Sequence, residues 1–225
     1  MIAFVAAERR EFEGLERHLE GRRKLQCAVR YAVAGSMNGR PVTLTANGPG
    51  PELAKAALDQ LNVGEFQVMV SIGFCGGLSP ELRPADIFVA TSVNGSAVDV
   101  PNSTPRSMQG PLVSMERVVT RAEEKASLWK SGACVVEMEA AGVLERARES
   151  KVRFHCIRVV TDTAEESFGI DFNYVRDREG RFSRTKVLAL AMRNPFKLIP
   201  ELIELDRRCS SAALALGDFI ADCKF

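Results

Sequence analysis

The chain opens on an unbroken apolar run, Ile2 to Ala6, followed by apolar positions three to four apart at Phe12, Leu15 and Leu19. The run reads as a strand buried on both faces, and the spaced set as one stripe of a helix from about Arg9 to Leu19. Strand-like stretches follow at Gln26 to Ala34 and Pro41 to Ala46. Asn47-Gly48-Pro49-Gly50-Pro51 then breaks the chain and leads into a helix from about Glu52 to Leu61. Further strands are expected over Val68 to Ile72, Asp86 to Ala90, Ala133 to Val136 and Phe154 to Val160. Helices from about Arg121 to Lys130 and from Ala140 to Glu149 separate the later ones. This alternation predicts an α/β fold with a mixed, mainly parallel central sheet covered by helices on both faces. Past Ser183 the pattern turns to helical pieces interrupted by Pro195 and Pro200, then a final helix from about Arg207 to Ala221, expected as a helical cover. No repeat, low-complexity stretch or long linker divides the chain, so residues 1–225 are read as one domain.

Composition narrows the function classes. With 46% hydrophobic and 26% charged residues, the 225-residue chain fits neither the disordered nor the fibrous classes. Its formal charge of +1, without a block of one sign, gives no reason to expect nucleic acid or a polybasic membrane anchor. The first apolar run is too short for a signal-peptide core, and no stretch is long enough to span a bilayer, so a cytoplasmic protein is expected. Six cysteines without C-x-x-C spacing suit reduced thiols. With His18 and His155 the only imidazoles, neither a metal site nor a histidine-based triad is expected, and no organic cofactor is called for.

In such a sheet, ligands collect beyond the carboxyl ends of strands. Four of those ends carry unusual residues. Glu11 follows the first strand on the flank of an apolar stripe, where partial burial raises a carboxyl toward the range of a useful base; an ordinary first-turn acid is the plainer alternative. Gly73-x-x-Gly76-Gly77 lets backbone approach a ligand but matches neither dinucleotide nor triphosphate loops, and fits a tight turn equally well. Glu137 and Glu139 flank Met138 where a strand meets a helix. They are candidates for gripping vicinal hydroxyls, or else helix-start acids with Glu137 or Glu139 salt-bridged to Arg158. Asp162 ends another strand and would equally cap a turn.

Four segments together resemble the nucleoside phosphorylase and nucleosidase superfamily, above all the methylthioadenosine/S-adenosylhomocysteine nucleosidases. They are Phe4-Val5-Ala6-Ala7-Glu8-Arg9-Arg10-Glu11, Ile72-Gly73-Phe74-Cys75-Gly76-Gly77-Leu78, Val136-Glu137-Met138-Glu139-Ala140 and Arg158-Val159-Val160-Thr161-Asp162. Gly110-Pro111-Leu112 and the helical end from Arg184 resemble the hopanoid-associated phosphorylase branch, which acts on adenosylhopane. The resemblance implies a three-layer phosphorylase-like fold and cleavage of a purine nucleoside at the ribose-base bond. It implies that Glu11 activates water, Glu139 binds the ribose hydroxyls over Met138, Asp162 protonates purine N7, and Arg158 is a counter-charge. Glu137, Phe74, Gly76, Gly77, Val118, Val119 and Phe168 fall into the substrate-binding set. Phe74 stands where these nucleosidases carry a small polar residue, which puts one sugar or nucleophile contact in doubt; Val118 stands where a base-stacking aromatic is usual, a change consistent with a larger or differently shaped nucleoside.

Three functions follow as alternatives. Hydrolysis is the first expectation, because Glu11 is present and the glycine-aspartate-proline-arginine segment of hexameric phosphorylases is missing. Phosphorolysis is the second, with Arg9, Arg10 and Arg83 as candidate phosphate ligands. A non-catalytic nucleoside-binding protein is the third. The implied partners are a nucleoside, inorganic phosphate in the second case, and further copies of the chain, a dimer first. Leu188, Leu190, Met192, Phe196, Leu198 and Ile199 are expected as core or dimer contact rather than as a lip against membrane lipid.

Overall fold

A computed structural model describes residues 1–102, 104–177 and 180–225, without the side chain of Arg184. Ten strands form one mixed sheet: β1 (Ile2–Ala6), β2 (Glu20–Lys24), β3 (Tyr31–Met37), β4 (Arg40–Ala46), β5 (Val68–Gly77), β6 (Ile87–Val93), β7 (Ser96–Ala97), β8 (Met108–Ser114), β9 (Val135–Glu137) and β10 (Arg153–Asp162). Strand β5 is the hub. It pairs in parallel with β1 and β10 and antiparallel with β9; β10, β6, β8 and β9 then close a ring back onto it, while β4, β3 and β2 extend the sheet beyond β1. Among the described residues five ladders are parallel and five antiparallel, so the sheet is more evenly mixed than strand-helix alternation suggests.

Because side chains alternate along a strand, β1 feeds two cores. Phe4 joins Phe12, Leu15, Leu216 and Ile220 on one face, and Val5 joins Leu58, Val143 and Phe154 on the other. Helices α1 (Pro51–Asp59) and α3 (Ala140–Glu149) cover the second face, crossing so closely that a Cβ on Gly142 would overlap the carbonyl of Pro51. The 27-residue α5 (Pro195–Ala221) lies on the first, preceded by α4 (Arg184–Ala191); α2 (Ala122–Lys130) stands between β8 and β9 in the chain.

The expected helix after β1 is instead two short 3-10 turns, Arg9–Phe12 and Leu15–His18, separated near Gly14. A side chain on Gly14 would collide with the backbone of α5 at Ala213 and Leu214, so contact with α5 shapes this segment more than its own periodicity does. Three strands escaped the sequence pattern. Strand β2, Glu-Gly-Arg-Arg-Lys, is exposed at every position and pairs only as the sheet's edge; β7 is two residues long; β8 carries Pro111 yet lies between β6 and β9. The stretch 26–30 is irregular and bent rather than strand. Strand β5 runs on through the glycines to Gly77, where a loop was expected, and α5 begins at Pro195 and carries Pro200 within it.

Candidate active site

Strands β1, β5 and β10 run parallel, so their carboxyl ends emerge at one edge of the sheet. Glu11, Glu139 and Asp162, at least 23 residues apart in the chain, all line a single cavity of about 1350 Å³ at that edge. All three are buried.

The 3-10 turn after β1 carries Glu11 back over β5. One carboxylate oxygen accepts the backbone N–H of Phe74 at 2.8 Å and the other that of Glu8 at 2.8 Å. Gly73 permits this approach: its φ is +144°, and any Cβ there would overlap Glu11 Oε1. Burial pushes the Glu11 carboxyl up to about 7, against the two backbone donors that favour the charged form.

Glu139 is the N-cap of α3 and accepts the N–H of Gly50 at 2.9 Å. Gly50 has φ +109°, so the Asn47-to-Pro51 break serves to aim a donor into the cavity. Burial first, then the charges of Glu137 and Glu11, raise the Glu139 carboxyl to about 8.

Glu137 takes a different part. One of its oxygens receives both Nε and Nη2 of Arg158 and the N–H groups of Glu139 and Ala140. The turn into α3 has separated it from Glu139, so the pair do not face a ligand as a matched clamp. Glu137 lines the cavity but spends its carboxylate holding Arg158, which is fully buried and also reaches Ser71 Oγ at 2.7 Å.

A register shift between Val160 and Asp162 on β10 brings Asp162 opposite Gly76, where its Oδ2 lies 3.0 Å from the position a Cβ would take. Gly76 thus makes room for the acid. Thr161 Oγ1 donates to Asp162 Oδ1 at 2.9 Å, and the ammonium of Lys125 donates to Oδ2 at 2.5 Å. Burial holds the Asp162 carboxyl above the usual range, against the pull of Lys125.

Of the remaining candidates, Phe74, Met138, Val118, Val119 and Phe168 line the cavity, together with Gly76. Gly77 does not; it packs behind Asp162 against Leu82 and Val160. Phe168 meets Phe172 edge to face at 5.3 Å, and Phe172 meets Phe182 at 6.2 Å, so an aromatic wall extends outward from the acids. Beyond it Val187, Leu188, Ile199, Leu202 and Ile203 line the cavity, with Ser183, Thr185 and Asp206 beside them. Arg9 and Arg10 stand at the cavity but hold Glu16 and Asp206, and Arg83 is not among its lining residues, donating instead to the carbonyls of Pro80 and Leu82. Lys125 went unnoticed in the sequence, and Gly50 stood out there only as part of a break between strand and helix. The spacing of Lys125 from Leu128, one turn on, was the available sign that it lies on the inward face of α2.

Chemically, the cavity combines an inner end of buried acids with an outer part that is largely apolar. A model of the phosphorylase superfamily matches residues 2–108 and 97–203. A curated purine nucleoside phosphorylase of the DeoD type from Myxococcus xanthus (strain DK1622) is 27% identical over 176 residues, 65% of this chain and 73% of that protein. Among solved structures, the 5′-methylthioadenosine/S-adenosylhomocysteine nucleosidase of Neisseria meningitidis, in complex with methylthio-immucillin-A, superposes with a TM-score of 0.69 at 20% identity, covering 98% of this chain and 96% of that one. A Streptococcus pneumoniae MTA/SAH nucleosidase in complex with 8-aminoadenine gives 0.71 at 15% identity over 98% and 96%. A futalosine hydrolase mutant of Helicobacter pylori gives 0.69 at 16% over 97% and 96%. These structural likenesses establish the fold.

Proposed function

The chain belongs to the phosphorylase superfamily, and we propose that it is a purine nucleosidase, hydrolysing the ribose-base bond of an adenosine-type nucleoside. The observation that carries this reading is the meeting of three buried carboxyls from distant parts of the chain around one cavity. As the ribose-base bond stretches, the sugar becomes cationic and the purine anionic. A rate gain therefore requires anionic groups at the sugar and an acid at the base. In this reading Glu11, poised near neutrality, takes a proton from water as it attacks the anomeric carbon. Glu139 binds the ribose hydroxyls over Met138 and, in its ionised form, faces the positive charge that develops on the sugar. Asp162 supplies the proton at N7, with Phe168 beside the base and Val118 and Val119 behind it. One of the two nucleosidase structures holds methylthio-immucillin-A and the other an adenine base, 8-aminoadenine.

Water is favoured over phosphate as nucleophile because a dianion would enter a chamber already holding Glu11, Glu137 and Glu139, while the nearby Arg9 and Arg10 are committed to acidic partners. Phosphorolysis stays as the second reading on two observations: Arg9, Arg10 and Arg30 line the cavity, and the curated relative is a phosphorylase. The apolar exit suits a nucleoside with a bulky apolar 5′ group. The reading also takes the chain to act as a homo-oligomer, a dimer first, since Leu188, Met192, Phe196 and Ile203 stand exposed; light scattering checks it. No helix among the described residues is long and apolar enough to cross a membrane.

The test is adenine release from adenosines with 5′ groups of increasing apolar size, with and without phosphate. Release independent of phosphate is expected. Strict phosphate dependence would replace hydrolysis by phosphorolysis, and binding without release from any substrate would leave a nucleoside-binding protein.

A further inference from the structure

Two cations are completely buried beside the cavity, and they divide its acids into two kinds. Arg158 holds Glu137 and Lys125 holds Asp162, whereas Glu11 and Glu139 are met by backbone N–H groups alone among the described residues. Lys125 has no exposed surface. Its Nζ donates three hydrogen bonds, to Asp162 Oδ2 at 2.5 Å, to the Thr163 carbonyl at 2.7 Å and to the Glu166 carbonyl at 3.0 Å. Nζ thus meets three oxygens at once, the full donor capacity of an ammonium group. The Phe168 ring lies 5.5 Å from Nζ, closing the pair off beside the cavity.

Burying a lysine costs several kcal/mol unless it is paired, and a leucine or methionine would fill the same place on α2 without that cost. The cation is therefore informative about the carboxyl it faces. Resting on the reading of Asp162 as the acid, we propose that Lys125 is a positioning residue, fixing that carboxyl toward the base and setting how readily it gives up its proton. The other titratable groups facing Asp162 do not take over this task. Cys75 from β5 and Cys209 from α5 are thiols held neutral by burial, and the Glu166 carboxylate is tied to Arg208 of α5 at 2.7 Å and to the N–H of Thr163 at 2.8 Å. Among the described residues, Lys125 is the cation in contact with Asp162.

The consequence is a limit on the alkaline side. Asp162 donates a proton only while it holds one, and a cation in contact makes it lose that proton at lower pH. Lys125→Met should move the alkaline limb of the kcat profile upward by about one to three pH units, with KM within about threefold, while Lys125→Arg keeps the limb where the wild type has it. A folded Lys125→Met protein with an unmoved limb overturns the proposal. A merely structural lysine would lower the melting temperature without moving the limb. Asp162→Asn separates the two claims. If it keeps wild-type turnover, the acid assignment itself fails; if it is inactive while the Lys125→Met limb stays put, only the role of Lys125 fails. Should Lys125→Met not fold, carboxyl-carbon NMR of wild-type protein labelled at aspartate decides, with the Asp162 resonance assigned by its loss in Asp162→Asn. A titration midpoint coinciding with the alkaline limb supports the proposal, and a midpoint elsewhere overturns it.

Discussion

Replacing Glu139 by glutamine removes a buried carboxyl that the fold disfavours in its charged form, and the effect on stability should depend on pH in a direction fixed by the site. In the folded protein Glu139 is raised from an ordinary 4.5 to about 8, chiefly by burial and then by Glu137 and Glu11. The folded state therefore holds this proton more tightly than the unfolded chain does. Stability is undiminished below about pH 4.5 and is lost as pH rises through 8. At about 1.4 kcal/mol per pH unit the full cost above pH 9 is about 4–5 kcal/mol. The glutamine keeps an oxygen for the N–H of Gly50 but must place an amide where no acceptor is provided, which takes back about 1–2 kcal/mol. The net gain at pH 9 is then about 3 kcal/mol, or about 6–12 °C in melting temperature for a chain of this size. At pH 5 the variant should be no more stable than wild type. Denaturant melts of both proteins at pH 5, 7 and 9 measure the difference directly. A stability difference that does not grow with pH would refute the reasoning, because it would mean that Glu139 is not a desolvated carboxyl. The same variant should bind nucleoside weakly, trading stability for the loss of a ribose contact.

Three other outcomes follow from the same geometry. Glu137→Gln leaves Arg158 buried without its charge partner and should destabilise the fold by about 3–5 kcal/mol in urea melts, in contrast to Glu139→Gln. Gly73→Ala introduces a methyl group at a φ of +144° and into Glu11 Oε1, so base release should fall at least about 100-fold even where circular dichroism shows a native spectrum. Because Glu11 acts as a base only when ionised and is pushed up to about 7, kcat/KM should fall as pH drops through that value; a profile flat down to pH 5 would contradict its role.

The parts of this molecule that were legible in the sequence are those whose signal is local. Ile2–Ala6 and the strand ends near Glu11, Glu139 and Asp162 announce themselves because apolar runs are followed within a few residues by acidic ones. The helix Ala140–Glu149 was readable to the residue, having a clear amphipathic period. What stayed hidden depends on partners distant in the chain. Gly14 looks neutral in a helical stripe until α5 is laid against it 200 residues later. Strand β2 has no apolar alternation because it forms an exposed edge, and its register comes from β3 alone. Lys125 sits in an Ala-Glu-Glu-Lys stretch that reads as a solvated face, and only the loop after β10 turns it into a buried ion pair. Glu137 and Glu139 are neighbours in sequence and opposites in role, one neutralised by Arg158 and one left open to the cavity, a division set by the turn between β9 and α3.

The most direct test of the whole is a single-turnover measurement of adenine release by Glu11→Gln beside a nucleoside-binding titration of the same protein. If Glu11 is the base that activates water in this cavity, the chemical step should slow by about 10²–10⁴-fold while the dissociation constant stays within about threefold. Release at the wild-type rate from a folded Glu11→Gln protein would contradict it.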